Sequence, residues 1–253
     1  MKHFPLILLL LALPLVFSCV GQVDDEEDPA PQGGVVADAA GQSLIIDFTA
    51  TWCVNCPRMT GAIEEAMAER PGAIVPLCVH YGDALACSDG NSLVKLFGIE
   101  NYPSAIVDMD VKSRTNAASK EKILSLVDER KPLKKPACDI VATALSPSEG
   151  HLDVSVGVTA AAQGEYLLWV LLVRDGIVAA QTGGSADEVH NHVLRRFLQA
   201  GEAGDSLGTL AEGVSGIWEA SFDGLELDGC RMIVFLTEAG SGLVNAILSV
   251  PIV

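Results

Sequence analysis

Residues 44–60, Leu-Ile-Ile-Asp-Phe-Thr-Ala-Thr-Trp-Cys-Val-Asn-Cys-Pro-Arg-Met-Thr, constrain this chain more than any other stretch. The apolar run from Leu44 to Phe48 reads as a buried strand bounded by small residues. Cys53 and Cys56 follow where a helix should begin, with two residues between them. Beyond them Met59, Ile63, Ala66 and Met67 recur at helical spacing, which predicts a helix over Val54–Arg70 with Pro57 in its first turn. A helix start presents unpaired N–H groups and partial positive charge, and both stabilise a thiolate, the reactive form of cysteine. The pattern therefore predicts Cys53 as an exposed attacking thiol and Cys56, one turn inward, as the shielded thiol that resolves a mixed disulfide.

Trp52 stands directly before the pair, and Asp47 lies six residues before Cys53. Farther on, Gly98-Ile-Glu-Asn-Tyr-Pro-Ser-Ala-Ile-Val107 sets Tyr102-Pro103 ahead of another strand. Together these residues resemble the active site of the thioredoxin superfamily. The resemblance implies that Pro103 is a cis-proline in a loop facing the cysteines, since cis bonds belong almost wholly to X-Pro. It implies that Trp52, Tyr102 and Pro103 hold substrate, and that Asp47 is a buried carboxylate that moves protons. Two other readings stay open. A zinc site would need a second ligand pair, and His190 with His192 could complete one only through distant folding. A permanently closed structural disulfide is the other, because this fold also serves proteins without redox duty. No metal and no cofactor is expected.

The N-terminus reads as an address. Lys2 and His3 precede an apolar stretch from Phe4 to Phe17, too short for an ordinary spanning helix and typical of a signal peptide over residues 1–18. It ends Val16-Phe17-Ser18-Cys19, which resembles a bacterial lipobox and implies lipidation at Cys19. Residues 19–40 carry Asp24-Asp25-Glu26-Glu27-Asp28, then Pro29, Pro31, Gly33 and Gly34; such a stretch cannot bury a core and is expected to be an acidic disordered tether. The acidic run also resembles the surface-export signal of Bacteroidetes lipoproteins; a solvated spacer is the alternative.

Sixteen basic against 33 acidic residues give a net charge of −17, which argues against nucleic acid or anionic lipid as a partner. Residues 41–132 predict an α/β domain in β-α-β-α-β-α order. Its later elements are a strand over Ala73–Val79, a helix over Asn91–Phe97, a strand over Ala105–Asp108 and a helix over Ala117–Arg130. Lys131-Pro-Leu-Lys-Lys-Pro136 is a basic, proline-rich connector. In residues 137–253 short β-type runs follow, at 140–145, 152–158, 166–173, 214–222, 232–236 and 243–250. Alternation such as Leu152-Asp-Val-Ser-Val-Gly-Val marks half-buried antiparallel strands, and an all-β immunoglobulin-like sandwich is the expected architecture.

Within that second part, Leu172–Gln181 leads into Val189–Leu198, which contains His190-Asn-His-Val-Leu-Arg195. This segment, the Thr49-to-Pro57 motif and Tyr102-Pro103 resemble the Omp-twenty-eight-like outer-membrane lipoproteins. The resemblance runs from the lipobox to the C-terminus. It implies a thioredoxin-like domain followed by a sandwich, at the outer membrane, periplasmic or surface-exposed; it supplies no substrate. His190 and His192 share a face if they lie on a strand, and a hydrogen-bonding role between strands or domains is expected of them.

Four further cysteines follow the motif. Cys78 should be buried and inert, and Cys87 could pair with it only if the strand end permits. Cys138 and Cys230 begin separate strand runs, and a bridge between them would suit an oxidising compartment if geometry allows. Two functions emerge. One is a lipid-anchored thiol–disulfide oxidoreductase acting on exported protein thiols or disulfides with a redox partner. The other is a surface binding or adhesion protein that uses the thioredoxin-like part as a scaffold with a structural disulfide.

Overall fold

The structure, a computed structural model, describes residues 42–253 and the backbone of a short strand, β1 (Val35–Val36). The signal segment, Cys19 and the acidic run lie outside the described residues. The chain then forms β2 (Ser43–Thr49), α1 (Cys56–Glu69), β3 (Ile74–His80), α2 (Ser88–Phe97), β4 (Ser104–Val107) and α3 (Lys120–Arg130). Strands follow: β5 (Asp139–Leu145), β6 (Leu152–Thr159), β7 (Gly164–Arg174), β8 (Ile177–Ala179), β9 (Glu188–His190), β10 (Val193–Phe197), β11 (Asp205–Leu210), β12 (Ser215–Phe222), β13 (Cys230–Glu238) and β14 (Val244–Pro251). Strands β8 to β11 have no counterpart in the sequence expectation. Among the described residues no helix is long and apolar enough to cross a membrane.

The helix after the cysteine motif starts at Cys56, two residues later than its spacing predicts. Tight turns hold the preceding segment, with Cys53 N donating to Ala50 O at 3.1 Å and Cys56 N to Cys53 O at 3.4 Å. Pro57 then opens the helix, where its missing N–H costs no helical bond. Helix α2 starts earlier than expected because the Cys87 sulfur caps it, accepting from Gly90 N at 3.3 Å.

One large sheet runs β14-β13-β7-β10-β3-β2-β4, with β11 also paired to β7. The α/β and β-rich parts therefore share a sheet. The join is parallel pairing of β10 on β3 at Val193 and Cys78, with Cys78 N donating to His192 O at 2.8 Å. Residues Gly33–Val253 form one compact unit. A second sheet, β1-β5-β6-β12, faces the β14-β13-β7 end. Its Ile140, Val154 and Val156 pack with Val170, Leu172, Val234 and Leu248 in an apolar core.

Strand alternation decides what each face of the large sheet carries. Leu44, Ile46 and Phe48 point one way, into a core with Val75, Leu77, Phe97, Trp169 and Phe235 that crosses the join. Ile45 points the other way, under α1 and α3, where it meets Met59, Ile63, Ile123 and Val127. Asp47 pairs with Cys78 and Thr49 with His80 in parallel register, so these four polar side chains occupy that same α1 face.

Candidate functional site

Cys53 and Cys56 are joined by a disulfide with their Cα atoms 5.4 Å apart, at the N-terminal end of α1. The sequence predicts an exposed Cys53; instead it is 5% exposed and Cys56 1%. The cause lies far along the chain, in the connection between β8 and β9. Gln181 Nε2 donates to Ala50 O at 3.2 Å and to Cys53 O at 2.9 Å. Thr182 N donates to Thr51 O at 2.8 Å. Gly183 has φ +82° and presses on the Val54 carbonyl so closely that a Cβ there would fall on its oxygen.

Asp47 sits beneath this end of α1 and is 1% exposed. Thr60 Oγ1 lies 3.1 Å from Asp47 Oδ2 and 3.4 Å from Cys56 O, so one hydroxyl touches both the carboxylate and the backbone of the second cysteine. Asp47 Oδ1 has no hydrogen-bond partner. Burial pushes the Asp47 carboxyl up to about 7, against a smaller lowering by Thr60. Such a group gains and loses a proton near neutral pH, which suits a proton acceptor for a thiol.

The Tyr102–Pro103 bond is cis, and Pro103 is buried. Tyr102 packs against the Ala50, Cys53 and Cys56 cluster. Trp52, 49% exposed, meets the Tyr102 ring edge-on with centroids 5.5 Å apart, and its Nε1 donates to Tyr81 O at 3.0 Å. Tyr81, 41% exposed, stacks on Tyr102 at 5.6 Å. Burial, then the neighbouring Tyr81, pushes the Tyr102 phenol up to about 12, so it stays neutral. Three aromatic rings thus form a platform beside the disulfide, able to bury apolar side chains of a peptide.

The sequence reading gives no functional role to Tyr81, His80, Asp83, Thr60 or Gln181. The available signal was positional: His80-Tyr-Gly-Asp83 ends a parallel strand, the place where α/β sheets gather functional groups. His80 is buried, with Nδ1 2.8 Å from Asp83 Oδ2. Burial alone would raise Asp83, but hydrogen bonds from His80 and from the Thr51 and Leu85 amides outweigh it and hold the carboxyl below its ordinary value.

His190 ends β9, with Nε2 3.3 Å from Ala179 O and its ring edge-on to His80 at 5.2 Å. His192 has φ +60°, which breaks the strand and turns the two histidines off a common face. Its Nδ1 accepts from Arg231 Nη2 at 2.7 Å, and its amide donates to Asp175 at 2.6 Å. Both histidines work at the seam between the α/β and β-rich parts. Among the described residues no three His, Cys, Asp or Glu side chains gather as a metal set.

Cys78, Cys87, Cys138 and Cys230 are free thiols, so the Cys78–Cys87 and Cys138–Cys230 bridges left open above are not formed. Cys87 is engaged as the α2 cap and contacts Leu194 O at 3.4 Å; Cys230 contacts Glu226 O at 3.3 Å. Cys78 is buried, and burial, then the charge of Asp47, pushes its thiol well up.

The thioredoxin family model matches residues 34–129. No curated protein matches the chain. Among solved structures the chain is similar to HBP35 of Porphyromonas gingivalis, 16% identical, with 84% of this chain and 75% of that chain covered at a TM-score of 0.68. A domain of the outer membrane lipoprotein Omp28 from Porphyromonas gingivalis is 14% identical, covering 46% of this chain and 88% of that one at a TM-score of 0.33. Chloroplastic thioredoxin z is 21% identical, covering 37% and 82% at a TM-score of 0.29. Residues 34–129 are thus a thioredoxin-like domain, joined to a β-rich part in a fold similar to that of HBP35.

Proposed function

We propose that this chain is a lipoprotein anchored to the outer membrane through Cys19, whose thioredoxin-like site exchanges thiols and disulfides with exported proteins. One observation carries the reading: a bonded Cys53–Cys56 pair at a helix start, beside cis Pro103 and above a buried carboxyl poised near neutrality. In the reduced form, the Cys53 thiolate attacks a substrate disulfide and one substrate sulfur leaves. Cys56 then gives its proton to Asp47 and attacks the Cys53 sulfur. The Cys53–Cys56 bond forms, the second substrate sulfur is released, and two electrons have passed to the substrate. Run backwards, the same steps oxidise a dithiol. A redox partner restores the starting form. Trp52, Tyr102 and Pro103 hold the substrate segment. The acidic tether ahead of β1 sets the folded part away from the membrane, and residues 137–253 form the immunoglobulin-like sandwich that flanks the thioredoxin-like part.

The covering of Cys53 by residues 181–184 favours a second reading, a binding or adhesion protein with a structural disulfide. Trapping separates the two. A Cys56→Ser variant of the full-length lipoprotein, expressed in cells, should accumulate mixed disulfides visible on non-reducing gels, and Cys53→Ser should not. Absence of trapped partners, with no insulin reduction by the wild-type chain, would favour the scaffold.

A further inference from the structure

Behind the disulfide, between the α1 face of the sheet and strand β9, lies a cavity of about 120 Å³. Its lining includes Asp47, Thr60, Cys78, His80, Glu188 and His190. A volume of this size holds a few waters, and its wall supplies the polar partners that waters need. Asp47 lines this cavity, and its enclosed Oδ1 has no protein hydrogen-bond partner. Asp83, held ionised, can only accept, so the proton of the His80–Asp83 contact resides on His80 Nδ1 and leaves Nε2 as a proton acceptor. The Ala179 carbonyl likewise fixes the proton of neutral His190 on Nε2.

We propose that His80, oriented by Asp83, is the group through which Asp47 exchanges its proton with solvent, by way of water in this cavity, with His190 of the β-rich part closing its outer wall. The inference rests on the exchange chemistry proposed above and adds a route to it. When the disulfide is reduced, an external thiolate attacks Cys53, the Cys53–Cys56 bond breaks, and its electron pair leaves on Cys56, which takes a proton from Asp47. Asp47 is then a buried anion, which its burial disfavours, and must be reprotonated. His80 Nε2 takes up a proton from solvent and passes it through water to Asp47, which returns the ring to its Nδ1–H form. In the oxidising direction the proton runs outward, and the imidazolium formed on His80 is stabilised by the carboxylate of Asp83. No electrons move along this route.

The groups facing His80 and Asp47 set the pH dependence. Glu64 of α1 is exposed at the rim, Glu188 and His190 face inward from β9, Cys78 stays protonated, and His192 is occupied by Arg231. Burial, then the nearby His80, keeps the His190 ring below its ordinary value, so it is neutral and does not repel a proton on His80 at pH 7.

The test is the rate at which dithiothreitol reduces the Cys53–Cys56 bond in the full-length chain, measured from pH 5 to 9. No protein partner is involved, so the outcome is independent of whether cellular substrates are trapped. His80→Gln keeps the size of the side chain and should slow reduction at pH 7 by about tenfold or more, the scale of a lost proton-transfer group. His80→Ala should be slowed likewise and be rescued in proportion to added imidazole, which a purely structural defect would not be. Asp83→Asn should slow the rate to a lesser extent, and it carries the test if both His80 variants unfold. Rates within twofold of wild type in folded variants, or a loss that imidazole leaves unrelieved, would overturn the proposal.

Discussion

Gln181 Nε2 lies 2.9 Å from the carbonyl oxygen of Cys53, across a sequence separation of 128 residues. The backbone of the reactive pair is thus held by a side chain that belongs to the β-rich part. That contact makes the β8–β9 connection part of the disulfide's surroundings and accounts for the enclosure of Cys53.

Gly183→Ala should lift this connection, because its φ of +82° and its approach to Val54 O leave no room for a side chain. Gln181→Ala should act more gently, removing the side-chain hydrogen bonds to Ala50 O, Cys53 O and Thr182 O at a stability loss of about 1–2 kcal/mol. In both reduced variants the Cys53 thiol should react with iodoacetamide several-fold faster than in wild type. Unchanged alkylation would mean that residues 181–184 do not limit access.

Asp47→Asn should change the pH profile of stability. The folded carboxyl titrates near 7 and the unfolded one near 3.8, so between these values the folded state holds the extra proton. Stability contributed by the protonated form is complete below pH 4 and is lost as pH rises toward 7, by on the order of 4 kcal/mol at the limit. Asparagine carries no such loss. Urea midpoints should therefore favour the variant increasingly from pH 5 to 8, while dithiothreitol reduction of its disulfide slows at pH 7.

The aromatic platform should govern protein substrates and not small ones. Tyr81→Ala removes the ring stacked on Tyr102 and so one of the three rings of the platform. A loss of about 1 kcal/mol per aromatic contact corresponds to roughly a fivefold rise in KM for a disulfide-containing peptide. Reduction by dithiothreitol should be unaffected. An equal slowing of both would assign Tyr81 to stability instead.

Cys19→Ala should release the protein from the membrane fraction or stall its processing, since the rest of the tether has no apolar segment to replace an acyl chain. Unaltered fractionation and electrophoretic mobility would show that the anchor lies elsewhere.

The parts of this molecule that could be read from the chain are those written in local pattern. Strand β2 is an uninterrupted apolar run with one carboxylate, α1 has helical spacing behind its cysteines, and Tyr102-Pro103 precedes a strand. Strand β10 resisted reading because Val193-Leu-Arg-Arg-Phe197 mixes apolar and charged residues without period, and its partner β3 belongs to the other part of the chain. The covering of Cys53 and the pairing of His80 with Asp83 depend on tertiary approach, to which periodicity is blind. The same limit explains the misplaced exposure of Cys53: spacing located the helix start but not what rests on it.

The shared sheet has a consequence for cooperativity. A fragment ending at Arg130 would bare the β3 edge at Cys78, strip the apolar partners Trp169 and Phe235 from the core under β2, and leave the Cys53 carbonyl without Gln181. Open strand edges of this kind invite intermolecular pairing. The thioredoxin-like part is therefore not a transplantable unit. It should melt in a single transition with the rest of the described chain, so that a substitution deep in β7 or β13 lowers the temperature at which the Cys53–Cys56 site is lost.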